Sequence, residues 1–235
     1  MAESGDNVCE QYRTAWLMES LFSRPPLNRH NASASKQFNG ILTKCLADAD
    51  PVIADTLRWW AQPEQEAVRQ QSISGVVGKR CAQAGRLDLA EPLFETARRE
   101  APRFSSGRLD YALTLLTCRA QLHGELIATD RDLAERELAD GQALAVWDKP
   151  ETRHLTLLFV GRLWAILGGH QQAINYLEQA WALGNPRTRQ QAELALCRSF
   201  IAAGEPEQAR RILDRARTQG QYGPAHAALE QELPH

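Results

Sequence analysis

The feature that most constrains the fold is a pattern of small and large residues repeated around three turn glycines, Gly85, Gly168 and Gly204. After each glycine a small, a large and a second small residue follow at the same offsets. These triplets are Ala90, Phe94 and Ala97; Ala173, Leu177 and Ala180; and Ala209, Leu213 and Ala216. Small residues let two helices approach closely, and large residues fill the space between one helix pair and the next. The pattern therefore predicts helix pairs that stack on one another.

The spacing of apolar residues supports helices throughout the chain. Apolar residues recur at three- and four-residue intervals, which is the period of an α-helix. Asp50 followed by Pro51 is typical of a helix start, and the three turn glycines can adopt the left-handed conformation that ends a helix. The sequence predicts helices of about 12–17 residues with short connections, so that neighbouring helices are antiparallel.

These offsets resemble the tetratricopeptide repeat, a helix–turn–helix unit of about 34 residues with a small residue on each helix. The resemblance is strongest over 71–104, where Gly78 and Pro102 complete the pattern. It implies an all-α fold, a right-handed α-solenoid of antiparallel helix pairs (a TPR-like superhelix). The predicted repeats are 71–104, a divergent unit 105–153, 154–187 and 190–223. Around them we expect an N-terminal capping helix and loop (1–34), a degenerate helix pair (35–70) and a C-terminal capping helix (224–235).

Composition excludes several classes of protein. Hydrophobic residues make up 43% of the chain and charged residues 24%, which is typical of a globular protein. The net charge of −2 gives no general attraction to nucleic acid or anionic membrane. The start of the chain lacks a basic segment followed by an apolar core, so no secretory signal is visible. We expect a soluble cytoplasmic protein without membrane insertion; its oligomeric state is left open.

No catalytic or metal-binding motif is apparent. The six histidines are not paired at metal-ligand spacing, and no GxSxG or phosphate-loop motif occurs. We therefore expect no enzymatic activity, no cofactor and no metal. Cys9, Cys45, Cys81 and Cys118 lie about one repeat apart, which allows either a row of reactive thiols or small buried residues that follow the repeat.

The resemblance implies that the first helix of each repeat lines a concave groove. The position after the small residue of that helix is Lys79, Arg162 or Arg198, and Arg119 lies near it in the divergent unit, although a second alignment puts Cys118 there. The other candidate groove residues are Gln83, Leu158 and Leu194, with Leu155, Gln191 and Ile201 beside them. A column of cations can bind carboxylates or phosphates. The other interpretation is that these cations are solvated or pair with the acidic segment 125–151.

The sequence is compatible with two functions. The first is a non-enzymatic protein–protein interaction module, an adaptor or chaperone that binds an acidic client peptide or segment in a partly basic groove. The alternative is a nucleic-acid-associated regulator that uses the Arg-rich flanks 68–119 and 187–217, against which stand the net charge and the lack of a nucleic-acid motif.

Overall fold

A computed structural model describes residues 46–47, 49–60 and 72–233. Within these ranges the chain is helical and contains no strand. In chain order the helices are α1 (Pro51–Trp60), α2 (Ile73–Gln83), α3 (Leu87–Glu100), α4 (Ser106–His123), α5 (Ala128–Trp147), α6 (Pro150–Ile166), α7 (His170–Leu183), α8 (Pro186–Ala202), α9 (Pro206–Thr218) and α10 (Pro224–Gln231). The prediction of an all-α fold built from antiparallel helix pairs is confirmed.

The predicted domain boundaries stay a prediction, although the helices can be placed within them. The pairs α2–α3, α4–α5, α6–α7 and α8–α9 begin and end close to the four predicted repeats, and α10 lies within the predicted C-terminal cap. The predicted N-terminal capping helix lies outside the described residues. Of the predicted degenerate pair, the structure describes α1 and the few residues before it.

The chain forms two compact units. Of the described residues, the first unit contains those up to Ala101 together with Thr114–Glu125, and the second contains Pro102–Leu113 together with those from Leu126 onward. In the first unit α2 packs against α1 and α3. In the second unit α6 packs against α5 and α7, and α8 packs against α7, α9, α6 and α10. Contact between α6 and α8 places the first helices of two successive pairs side by side.

The three turn glycines end their helices as predicted. Gly85, Gly168 and Gly204 have φ angles of 75°, 82° and 77°, which a residue with a side chain rarely adopts. In each turn the residue after the glycine donates its backbone N–H to the carbonyl five positions earlier, over 2.8–2.9 Å. This is the Schellman pattern, which satisfies carbonyls that the helix end leaves unpaired.

Close packing of the two helices in a pair depends on the small residues. A Cβ atom added to Gly161 on α6 would lie 2.7 Å from Cγ of Leu177 on α7. At Gly78 on α2 it would lie 3.0 Å from Cε1 of Phe94 on α3. Phe94 and Leu177 are fully buried, so the large residue of one helix occupies the space left by the missing side chain on the other. The close approach that the sequence predicts for the small residues is thus observed, but Phe94 and Leu177 fill space within their own pair, whereas the sequence placed the large residues between one pair and the next.

This contact can be tested with a matched pair of substitutions in the second unit. We expect Gly161→Ala to lower the free energy of unfolding by about 1–3 kcal/mol, because the new methyl group overlaps Leu177. Gly107 lies in α4, and a Cβ atom added there would meet nothing within 4 Å. Gly107→Ala should therefore raise stability by up to about 1 kcal/mol through helix propensity. Urea denaturation followed by circular dichroism measures both changes. Equal effects of the two substitutions would contradict the packing argument.

Candidate partner-binding surfaces

The seven predicted groove residues are divided between the two units. Those in the first unit are Lys79, Gln83 and Arg119. Those in the second unit are Leu158, Arg162, Leu194 and Arg198. Their role in binding stays a prediction, and the structure defines the surroundings of each.

In the first unit, Arg119 is already neutralised by acidic side chains. Its Nε donates to Oε1 of Glu91 over 2.9 Å, and its Nη2 lies 3.9 Å from Oε2 of Glu95. Glu95 also pairs with Arg98 over 2.7 Å. Burial raises the pKa of Glu95, but these arginines outweigh that effect and lower its pKa overall. Arg119 therefore presents little uncompensated charge to a ligand.

Gln83 lies at an open pocket of the first unit rather than in a row of cations. The pocket has a volume of about 440 Å³ and includes Trp59 and Arg80 in its lining. The Arg80 guanidinium lies 4.8 Å from the centroid of the Trp59 ring, in the geometry of a cation–π contact. Trp60, the residue after Trp59, is buried. Of these two adjacent tryptophans, Trp60 therefore belongs to the core and Trp59 lines the pocket. Lys79 is half-buried.

In the second unit, Arg162 is a half-buried cation on α6. Its side chain makes no hydrogen bond or ion pair within the described part of the chain. Burial lowers the pKa of the Arg162 guanidinium; Asp110 on α4 opposes this effect and Arg198 on α8 adds to it. Arg198, the predicted groove residue of the next helix pair, is therefore close enough for its charge to act on Arg162. Arg198 itself is exposed.

Leu158 does not line an accessible surface. Its side chain is 0% exposed and belongs to the core of the second unit. A side chain without exposed area cannot contact a client unless the core opens, so Leu158 is removed from the candidate groove. Leu194 on α8 is half-buried and remains accessible.

The acidic segment 125–151 accounts for some of the arginines. Glu137 on α5 is almost fully buried and accepts three hydrogen bonds from Arg108, one from Nη2 over 2.8 Å and two from Nε over 2.9 and 3.1 Å. Asp140, one turn further on, accepts two from Arg103 over 2.8 and 2.9 Å. The alternative interpretation of the sequence, in which arginines pair with this segment, thus applies to Arg103 and Arg108, neither of which is among the candidate groove residues.

A further cluster of charged side chains lies around Trp181. It was not predicted from the sequence, because a tryptophan in a helix is first interpreted as a packing residue. The guanidinium carbon of Arg215 lies 4.6 Å from the Trp181 ring centroid, and that of Arg189 lies 6.0 Å from it. Arg215 also pairs over 2.9 Å with Glu193, which is buried. The signal was available: Trp181 follows the core residue Ala180, and successive helical residues point about 100° apart.

The described cysteines are buried core residues. Cys81, Cys118 and Cys197 all lie in the interior as free thiols. Burial, assisted by nearby carboxylates, raises the pKa of Cys81 to about 11 and that of Cys197 to about 12. A thiol in this state is a poor nucleophile, because the thiolate is the reactive form. For these three, the interpretation as small buried residues is supported; Cys9 and Cys45 lie outside the described residues.

The described ranges hold no group of three or more His, Cys, Asp or Glu residues placed to bind a metal ion. In the same ranges no helix combines the length and the apolar character that crossing a membrane requires.

Comparison with known proteins agrees with the helix pairs of the second unit. A family model described as tetratricopeptide repeat matches residues 167–233. This segment is therefore similar to tetratricopeptide repeats. The match spans α7 to α10, and tetratricopeptide repeats generally act as non-catalytic protein-interaction scaffolds.

The solved structures that resemble this chain include the crystal structure of BtubC (BKLC) from P. vanneervenii. It is 17% identical, covers 92% of this chain and 94% of its own, and superposes with a TM-score of 0.49. Comparison with curated protein sequences gave no match.

Burial of the thiols predicts slow chemical labelling. In the folded protein at pH 8, we expect iodoacetamide to modify Cys81 and Cys197 at least about a hundredfold more slowly than an exposed cysteine, because little thiolate is present. Labelling should speed up as the pH rises toward the raised pKa values, and unfolding in urea should remove the difference. Peptide mapping by mass spectrometry identifies each site. Rapid labelling of either residue in the native state would contradict its burial.

Proposed function

We propose that the protein is a non-enzymatic adaptor or chaperone that binds an acidic segment of a client protein in a groove of its second unit. Tetratricopeptide repeats in 167–233 support a protein-interaction role in general. The finer proposal concerns what the groove recognises, and it depends on Arg162 and Arg198.

The observation that carries the proposal is the state of Arg162. Arg162 is half-buried, burial lowers the pKa of its guanidinium although Asp110 partly opposes this effect, and no described side chain forms an ion pair with it. Removing a charge from water costs free energy unless a partner compensates for it. A client carboxylate placed between Arg162 and Arg198 would supply that partner, since each guanidinium can donate two parallel hydrogen bonds to a carboxylate.

The region around Arg162 also has the mixed character that recognition of a peptide requires. Leu194 on α8 offers apolar area beside the exposed Arg198, so a client with an apolar residue next to an acidic one would match both. Lys79 and Arg119 belong to the first unit and are not needed for this site. Because Arg119 already pairs with Glu91, we place the main recognition at the second unit.

A protein client fits the charge distribution better than nucleic acid does. Several arginines of the two basic flanks are paired with carboxylates within the chain, among them Arg86 with Asp50 and Arg217 with Glu230. Such pairs weaken the field that a phosphate backbone would need for binding.

The proposal predicts loss of peptide binding when either arginine is removed. We expect Arg162→Ala and Arg198→Ala each to weaken binding of a fluorescent acidic peptide that contains Leu by roughly tenfold, the size of one lost charge-assisted hydrogen bond. Fluorescence anisotropy at low and moderate salt measures the affinity, and the binding of the unchanged protein should weaken as salt is added.

Arg131→Ala is the matched control, because Arg131 is an exposed arginine on α5 in the same unit. It should bind the peptide like the unchanged protein. The thermal unfolding temperature provides a second check. Because Arg162 is half-buried and forms no ion pair with a described residue, removal of its charge in Arg162→Ala should not lower that temperature. Unchanged peptide affinity in both groove variants would refute the proposal.

A further inference from the structure

A short motif is repeated where helices α6 and α8 begin. The two copies are WDKPETR (147–153) and LGNPRTR (183–189). In both, a large apolar residue stands three positions before Pro, and Thr and Arg stand two and three positions after it. Trp147 thus corresponds to Leu183, and Arg153 corresponds to Arg189.

Helix initiation explains only part of this motif. Pro150 and Pro186 occupy the first helical position, where proline is favoured. Thr152 donates from Oγ1 to Asp148 over 2.7 Å, and the backbone N–H of Thr188 donates to the side chain of Asn185 over 2.9 Å. These features account for the two prolines and for Thr152, whereas the Thr188 donor is a backbone N–H that any residue except proline could supply. They do not involve the apolar residue or the arginine.

The remaining residues of the motif are exposed. Trp147 is 85% exposed and Leu183 is 58% exposed, values far above those of core residues. Arg153 and Arg189 are exposed as well, and so is Arg187 in the second copy. Aromatic and arginine side chains in such positions are typical of binding hot spots.

Both copies lie at the same edge of the second unit. Helices α6 and α7 are antiparallel, and so are α7 and α8, because only three and two residues connect them. Helices α6 and α8 therefore run parallel, and they pack against each other. We call the resulting area the edge surface, defined by Trp147, Arg153, Leu183, Arg187 and Arg189.

A pocket lies next to the second copy of the motif. Its volume is about 560 Å³, and its lining includes Trp181, Pro186, Arg187 and Arg189. Gln190, Gln219 and Gln221 also line the pocket, and so does Glu193, whose carboxylate pairs with Arg215 over 2.9 Å. Guanidinium and amide donors beside an aromatic ring suit an acidic side chain that projects from a partner.

We propose that the edge surface is a second protein-binding surface, distinct from the groove at Arg162. Its partner is an acidic segment that packs apolar side chains on Trp147 and Leu183 and places carboxylates on Arg153, Arg187 and Arg189. The pocket favours a protein partner, because a projecting side chain fills it and a flat layer of lipid headgroups does not. A stacked nucleobase is disfavoured because the Arg215 guanidinium already lies over the Trp181 ring.

The test uses the full chain and two fluorescent peptides of equal length, one alternating Asp or Glu with Leu or Trp, the other carrying Asn and Gln instead. We expect the acidic peptide to bind the unchanged protein more tightly than its amide counterpart. The variants Trp147→Ala/Leu183→Ala and Arg153→Gln/Arg189→Gln should each weaken its binding about tenfold or more.

Matched controls come from the opposite end of α5. Ile127 precedes that helix and is 57% exposed, almost as much as Leu183, and Arg131 is an exposed arginine in its first turn. Ile127→Ala and Arg131→Gln should leave the affinity unchanged, because the length of α5 separates them from Trp147 by roughly 30 and 24 Å. Circular dichroism verifies that each variant is folded.

The outcomes separate the edge surface from the groove. If Arg162→Ala abolishes binding and both edge variants bind normally, the peptide occupies the groove and the edge proposal is wrong. Loss of binding in the edge variants with normal binding in Arg162→Ala supports it, whatever the fate of the groove proposal. The edge proposal is overturned if the acidic peptide does not bind. It is also overturned if the protein binds phosphatidylserine vesicles or single-stranded oligonucleotides instead of the peptide and the edge variants lose that binding.

Discussion

The close approach of the two helices within a pair is the constraint on which the rest of this structure depends. Gly161 and Leu177 illustrate it: the large residue fills the space left by the missing side chain, so the helices meet at a distance that any larger residue would prevent. The same relation joins Gly78 to Phe94. Once the pairs interlock in this way, short turns determine that successive first helices run parallel. Their starts then share one edge of the second unit, and that arrangement creates the proposed edge surface.

Charge neutralisation within the chain determines which arginines are available. Buried Glu137 and Glu193 bind Arg108 and Arg215, which satisfies carboxylates that could not remain alone in the interior. These pairs connect neighbouring helices and contribute no net charge to a binding surface. Arg162 differs because it is half-buried and forms no ion pair with a described residue. Both proposals therefore depend on cations that the internal pairing leaves available, and not on the number of arginines in the chain.

Parts of the fold could be predicted because they depend on local chemistry. The left-handed turns at Gly85, Gly168 and Gly204 follow from glycine's freedom at positive φ, which needs no information from the rest of the chain. Leu158 was assigned wrongly to an accessible groove because helical spacing gives a residue's direction within its own helix, whereas neighbouring helices decide whether that direction is covered. The ion pair of Arg119 could not be predicted from the sequence for a similar reason, since its partner Glu91 lies on a different helix.

The sequence by itself determined the helix pairs, the turns between them and the small and large residues that let them interlock, because these depend on spacing along the chain. It also contained the repeated Pro-x-Thr-Arg segments, but nothing in their spacing distinguishes a helix start from a binding surface. Only the tertiary structure decided which side chains remain exposed: Trp147 and Leu183 lie outside the core, Leu158 lies inside it, and Arg162 lies between. Exposure is a property of how neighbouring helices cover one another, and no local pattern specifies it.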